Sequence, residues 1–232
     1  MIRRFIPAAA AATGLVATLL VAAPTASAGT GSACTNLNYT PRTVVLGLSE
    51  TTKTFTVTAS GCTPKAWTID FGSGFVLDQD LSQVTFTSAD LPNSEAGVKY
   101  DAWVTATDDA DVTAGHQMNG SFVIKRRTEW RSFNASPEPV SKGKPIKITG
   151  ALKVANWESR KYTAQKGSRV SVQFKKAGTS SYVTVKTVTT SSTYGTVSTS
   201  VNATYDGRWR LVYGGSGTRG PATSLSDYVD VR

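Results

Sequence analysis

Read for its spacing of apolar and polar positions, the chain consists of short alternating segments. Thr54–Ala59 (TFTVTA) alternates as a half-buried strand does, with Phe55, Val57 and Ala59 on one side. Trp67–Phe71 places Trp67, Ile69 and Phe71 on one face, and Val84–Phe86 is another short strand. Tyr100–Thr107 and Ser121–Lys125 read as a hairpin across a loop at 108–119. Further on, Ile146–Ile148 alternates, and Val170–Phe174 turns Val170, Val172 and Phe174 inward. Tyr182–Thr189 and Thr196–Ala203 are rich in Val and Thr, as exposed strands are. Arg208–Tyr213 should bury Trp209, Leu211 and Tyr213 while Arg208 and Arg210 point out, and Tyr228–Val231 adds a last strand. No stretch keeps a 3.6-residue period. Many short strands with turns every 8–12 residues predict an all-β chain of sandwich or barrel type.

One segment breaks this pattern. Met1-Ile2-Arg3-Arg4 precedes an Ala-rich apolar run that ends in Ala26-Ser27-Ala28. A basic start, a short apolar stretch and a small-x-small exit predict a signal peptide at 1–28, cleaved to leave a secreted, extracellular protein. The run is shorter than the ~20 residues a bilayer span needs, and no second apolar run follows, so no transmembrane segment is expected.

Composition sharpens the picture at two points. Cys34 and Cys62 are the only cysteines, and in an oxidising compartment an even count reads as a disulfide. Charge divides the chain. Residues 29–125 carry five basic and ten acidic side chains, whereas 128–232 carry sixteen basic and six acidic, net +10. That asymmetry predicts two units, an acidic, disulfide-stapled domain over 29–126 and a basic domain over 127–232.

Both units resemble bacterial immunoglobulin-like domains. In the first, Glu95-x-Gly97 followed by Tyr100-x-Ala102 resembles the corner that leads into strand F, with spacing one residue longer than the usual pattern. In the second, Tyr205-Asp206-Gly207-x-Trp209 resembles the corresponding turn. The stretch Phe133–Val140, with Gly143, Ile148-Thr149-Gly150 and the ending Tyr228–Arg232, is similar to a domain of secreted actinobacterial (Streptomyces-like) proteins. The resemblance implies two immunoglobulin-like β-sandwiches in tandem. The cysteines depart from its pattern: Cys34 precedes the first clear strand, so the bond is expected to join strands A and B rather than B and F. The resemblance implies no catalytic residues.

Candidate chemistry is sparse. His116 is the only histidine and lies in a Gly-flanked loop; no Gly-x-Ser-x-Gly elbow accompanies it, so no enzyme is expected. Asp78 and Asp80 read as a solvated turn. The acidic loop holding Asp108, Asp109 and Asp111 offers oxygen ligands suited to Ca²⁺, but lacks the glycine and the glutamate of a calcium loop, so no cofactor is expected beyond a weak calcium candidate. The basic half carries the stronger signal. Lys147, Arg169, Lys175, Lys186, Arg208 and Arg210 fall on outward positions of alternating strands. If several share a sheet face, they form a patch for a polyanion, an anionic cell-wall polymer or acidic glycan rather than nucleic acid. Trp157 and Tyr162 lie in a polar connection at 156–167, either exposed for recognition or capping the sandwich end. The functional expectation is a non-enzymatic binding or adhesion module at the cell envelope, with a structural spacer and a small-ligand carrier as alternatives. Oligomeric state is not legible.

Overall fold

The computed structural model describes residues 34–72, 75–108 and 113–232, with side chains at 113–116 excepted. The expected signal peptide, Asp109, Asp111 and the His116 side chain lie outside this set. The backbone packs as two compact units. The first takes 34–42, Thr52–Phe86 and Lys99–Val123; the second takes Thr43–Thr51, Thr87–Val98 and Ile124–Arg232. The division is therefore discontinuous, with two segments ahead of residue 126 belonging to the later unit.

The early strands are β1 (Thr35–Thr40), β2 (Thr43–Leu46), β3 (Thr51–Thr54), β4 (Thr56–Ser60), β5 (Ala66–Asp70), β6 (Val76–Asp78), β7 (Gln83–Phe86), β8 (Lys99–Thr107) and β9 (Thr113–Arg126). In the first unit β1 pairs β4, and β3 pairs β7. β3 and β4 form one extended run broken at buried Phe55, whose N–H donates to the Ser82 carbonyl at 2.8 Å. This layer has the order A-B-E. The facing layer, β9-β8-β5-β6, has the order G-F-C-C′. Alternation brings Phe55, Phe71, Phe86 and Phe122 into one core cluster, with Phe71 and Phe122 centroids 5.0 Å apart. Cys34 and Cys62 are bonded, with Cα atoms 5.0 Å apart, and tie off the end of the β1–β4 pair.

The later strands are β10 (Thr128–Ser136), β11 (Pro145–Asn156), β12 (Lys161–Ala164), β13 (Arg169–Lys176), β14 (Val183–Thr189), β15 (Thr196–Asn202), β16 (Gly207–Tyr213), β17 (Ala222–Thr223) and β18 (Asp227–Val229). β11 pairs with β10, β12 and β15, again A-B-E. The second layer runs β14-β13-β16, with β17 and β18 on β16, which is C′-C-F-G. Ile146, Ile148, Leu152, Val170, Val172, Trp209 and Leu211 fill the space between the layers. The strand order in both units is that of the immunoglobulin-like sandwich. Among the described residues helix is limited to a 3₁₀ turn at Asn93–Glu95, and no helix is long and apolar enough to cross a membrane.

The connection at 156–167 holds a strand, β12, that its polar composition did not announce, and of the two readings of Trp157 the structure takes the buried one, at 0% exposed. Its indole N–H donates to Leu46 O at 3.2 Å, and its backbone N–H donates to Asn93 Oδ1 at 3.0 Å. The polar neighbours are committed as well: Glu158 accepts from Asn93, Asn156 accepts from Asn93 and Ser159, and Arg160 donates to Ser88 Oγ and Leu48 O. The segments at 43–51 and 87–98 supply these partners and are fixed in the second unit by them.

Candidate functional site: a basic and aromatic sheet face

β13 and β16 run antiparallel, with Gln173 opposite Arg210, Phe174 opposite Trp209 and Lys175 opposite Arg208. Side chains of paired residues project to the same side of the sheet. The inward pair, Phe174 and Trp209, packs with ring centroids 4.6 Å apart. The register therefore turns Gln173, Lys175, Arg208 and Arg210 out together. Tight sheet closure at one end helps hold this register. Gly207 is buried, and a Cβ there would meet Lys175 O at 2.3 Å and the Phe174 ring at 2.5 Å, so a larger residue would push the two strands apart.

Two tyrosines complete the face. The Arg210 guanidinium sits 3.7 Å from the Tyr182 ring centroid, and Lys175 Nζ lies 5.3 Å from the same ring. Arg208 lies 5.8 Å from the ring of Tyr228, its register partner on β18. Such contacts contribute ~0.5–1 kcal/mol at exposed sites and restrict the rotamers of long cations. Arg210 Nε donates to Gln173 Oε1 at 2.9 Å, which spends one of five guanidinium donors. Among the described residues no carboxylate lies within salt-bridge distance of Lys175, Arg208 or Arg210; salt bridges of the second unit join Arg131 to Glu129 and Arg232 to Asp230. Asp227 and Asp206 instead accept from the backbone N–H groups of Ala135 and Val231. The face thus presents three cations in fixed positions with donors to spare.

The other sequence-selected cations sit elsewhere. Arg169 shares the outward side of β13 but lies six residues, ~20 Å, along the strand from Lys175. Lys147 projects from β11, in the opposite sheet. Lys186 pairs with buried Val172, not with an outward residue, because a bulge between Val172 and Gln173 shifts the register of β14. Its Nζ reaches the Ser200 carbonyl of β15 at 3.1 Å, closing the open side of the sandwich. The expected six-residue patch is therefore a three-residue cluster with aromatic supports. Tyr228 was legible from its alternation with buried Val229; Tyr182 and Gln173 needed the register.

The remaining candidates fare as follows. Asp78 Oδ1 accepts the N–H groups of Asp80 and Leu81, an ordinary turn. Among the described residues no group of three or more His, Cys, Asp or Glu is placed to hold a metal. Of the calcium candidates only Asp108 is described, and it has an interaction of its own. Trp209 and Tyr213 are buried, as alternation requires.

No protein-family model matches the chain, and no curated protein matches it. Solved structures similar to it include the D00-D0 domain of intimin, 11% identical, covering 83% of this chain and 98% of that one, TM-score 0.31. The fibronectin(III)-like modules of Clostridium thermocellum CbhA are 11% identical, covering 84% and 92%, TM-score 0.37. The Yersinia pseudotuberculosis adhesin InvE is 10% identical, covering 87% and 61%, TM-score 0.31. At such identities and scores no residue role carries over, and the fold assignment rests on the strand order.

Proposed function

We propose that this chain is a secreted, non-enzymatic binding module that holds a polyanion, an anionic cell-wall polymer or acidic glycan, on the outer face of β13, β16 and β18. The observation that carries the reading is the cluster of Lys175, Arg208 and Arg210, stacked on Tyr182 and Tyr228 without a carboxylate partner. Cations used only for solubility have no need of aromatic supports that fix their positions. A repeating anion gains from fixed positions, because less side-chain entropy is lost when it binds. The disulfide agrees with an oxidising compartment.

A small-ligand carrier is favoured by a separate observation, an open cleft of about 380 Å³ lined by Phe174, Val185, Val201, Tyr205 and Trp209. It is open to solvent, and Asn202 and Thr204 add two polar groups to an otherwise apolar lining, so it does not enclose a small molecule.

Co-sedimentation of the full chain with isolated bacterial cell walls tests the proposal. Salt-sensitive pelleting that disappears in the Arg208→Glu/Arg210→Glu double variant supports it. A supernatant fraction unchanged by salt and by both substitutions overturns it and leaves the spacer reading.

A further inference from the structure

A second cationic feature lies away from this face, within the second unit. Arg126, at the end of β9, forms an isolated parallel bridge with Arg219. Two backbone bonds fix the pairing: Arg126 N–H donates to Thr218 O at 3.0 Å, and Gly220 N–H donates to Arg126 O at 2.9 Å. Residues paired in this way carry their Cβ atoms ~5 Å apart on one side. The loop that delivers Arg219 is built for it. Ser216 N–H donates to Arg219 O at 2.9 Å, and Gly215 has φ +86, with a Cβ there meeting Arg219 O at 2.9 Å.

Placing two guanidiniums side by side costs energy unless something compensates. Here little protein does. Nε of Arg126 and Nε of Arg219 are both buried without an acceptor. Arg126 Nη1 donates to Asn93 Oδ1 at 2.8 Å, an acceptor shared with the Trp157 N–H. The carboxylate that acts on Arg126 is Glu158, whose two oxygens already accept from Asn93 N and Nδ2 at 2.9 and 2.8 Å. Burial first, and then the Arg219 charge, lower the Arg126 pKa from its ordinary value. A buried donor left without an acceptor is destabilising, and two like charges sharing a site add to that.

We infer that Arg126 and Arg219 form a paired-guanidinium site for one doubly charged tetrahedral oxoanion, phosphate or sulfate as the free ion or phosphate as a monoester. A dianion balances the two charges, and its tetrahedral oxygens offer acceptors to two guanidinium edges at once. The site is separate from the β13–β16 face and stands or falls independently of it.

Thermal unfolding of the full chain at constant ionic strength is the test, with part of the chloride replaced by low-millimolar phosphate, sulfate or acetate. At about ten times Kd, linkage predicts a rise of about 3 °C with phosphate or sulfate. Acetate should give none, Arg219→Gln should abolish the rise, and Arg208→Ala/Arg210→Ala should retain it. Because both oxoanions also stabilise proteins by exclusion from their surfaces, the quantity read is the difference between wild type and Arg219→Gln. If that variant fails to fold, Arg219→Lys keeps the charge, loses the fork and should at least halve the shift. Glycerol phosphate in parallel distinguishes sources: a shift matching that of phosphate marks a site open to esters, and phosphate alone marks one for the free ion. No shift, an equal shift in Arg219→Gln, or an equal shift with acetate overturns the inference.

Discussion

Removing the two outward arginines of β16 should change how binding to a polyanion depends on salt, more than it changes the fold. Arg208 and Arg210 project from the sheet face opposite Trp209 and make side-chain contacts with Tyr182, Tyr228 and Gln173. Truncation to alanine removes those contacts but leaves the inward pair of Phe174 and Trp209 in place. Each cation that neutralises an anionic group on a flexible polymer releases counterions, with a slope of roughly −0.7 per contact in log affinity against log salt. Three contacts, from Lys175, Arg208 and Arg210, give a slope of about −2, an affinity loss of about 20-fold between 50 and 200 mM salt. With Lys175 alone the slope falls to about −0.7 and the loss to about 3-fold. Fluorescence anisotropy of labelled heparin, titrated with the full chain at several salt concentrations, reads the slope. Lys147→Ala, on the opposite sheet, is the control and should leave it unchanged. A double variant with the wild-type slope would refute the assignment of the face, and so would a Lys147→Ala slope reduced as far as that of the double variant.

Trp157→Phe keeps most of the buried volume but deprives Leu46 O of its indole donor, so urea unfolding should show a loss of about 1–3 kcal/mol; an unchanged midpoint would count against the burial of Trp157. Replacing Cys34 and Cys62 by serine opens a loop with a separation of 28 residues, and the chain-entropy account values the link at ~3.5 kcal/mol, read as a lower unfolding midpoint under non-reducing conditions. Tyr39 and Tyr162 titrate above the ordinary 10.0, each chiefly through burial of the phenol. Because the folded state then holds protons that the unfolded state has lost, stability should fall as pH climbs from 10.0 toward the raised values; tyrosinate absorbance followed alongside unfolding checks this.

What was legible in the sequence follows the strength of local alternation. Val170, Val172 and Phe174, and likewise Trp209, Leu211 and Tyr213, each carry three large apolar residues at a spacing of two, and their strands and inward faces are as read. β1, with sequence TNLNYT, and β12 lack that signal, because pairing with β4 and β11 supplies what their own composition does not. For Trp157 the sequence left two readings open, exposed or capping the sandwich end, and the burial decides for the second. Its neighbours Asn156, Glu158, Ser159 and Arg160 look like an exposed loop, and the residues that bury and satisfy this segment, Leu46, Leu48, Ser88 and Asn93, are more than sixty positions away. Within the basic face, alternation correctly placed Lys175, Arg208 and Arg210. It misplaced Lys186, since one inserted residue in a strand reverses every side chain beyond it, and bulges leave no mark in a Val/Thr-rich segment.

The same bulge bears on how the protein keeps to itself. β14 is the outermost strand of its sheet, with Val183 58% and Val185 46% exposed in the run VTVKTVT. An uncovered edge of this composition is a template onto which another extended chain can add. Lys186 stands in the middle of that run, anchored across the gap to Ser200, and the kink beside it spoils the straight ladder a newcomer would need. One ammonium group and one surplus residue thus act as a gatekeeper for solubility. Replacing Lys186 with valine would leave seven consecutive Val and Thr residues on an open edge, and the protein should then form fibres at concentrations where the native chain stays dispersed.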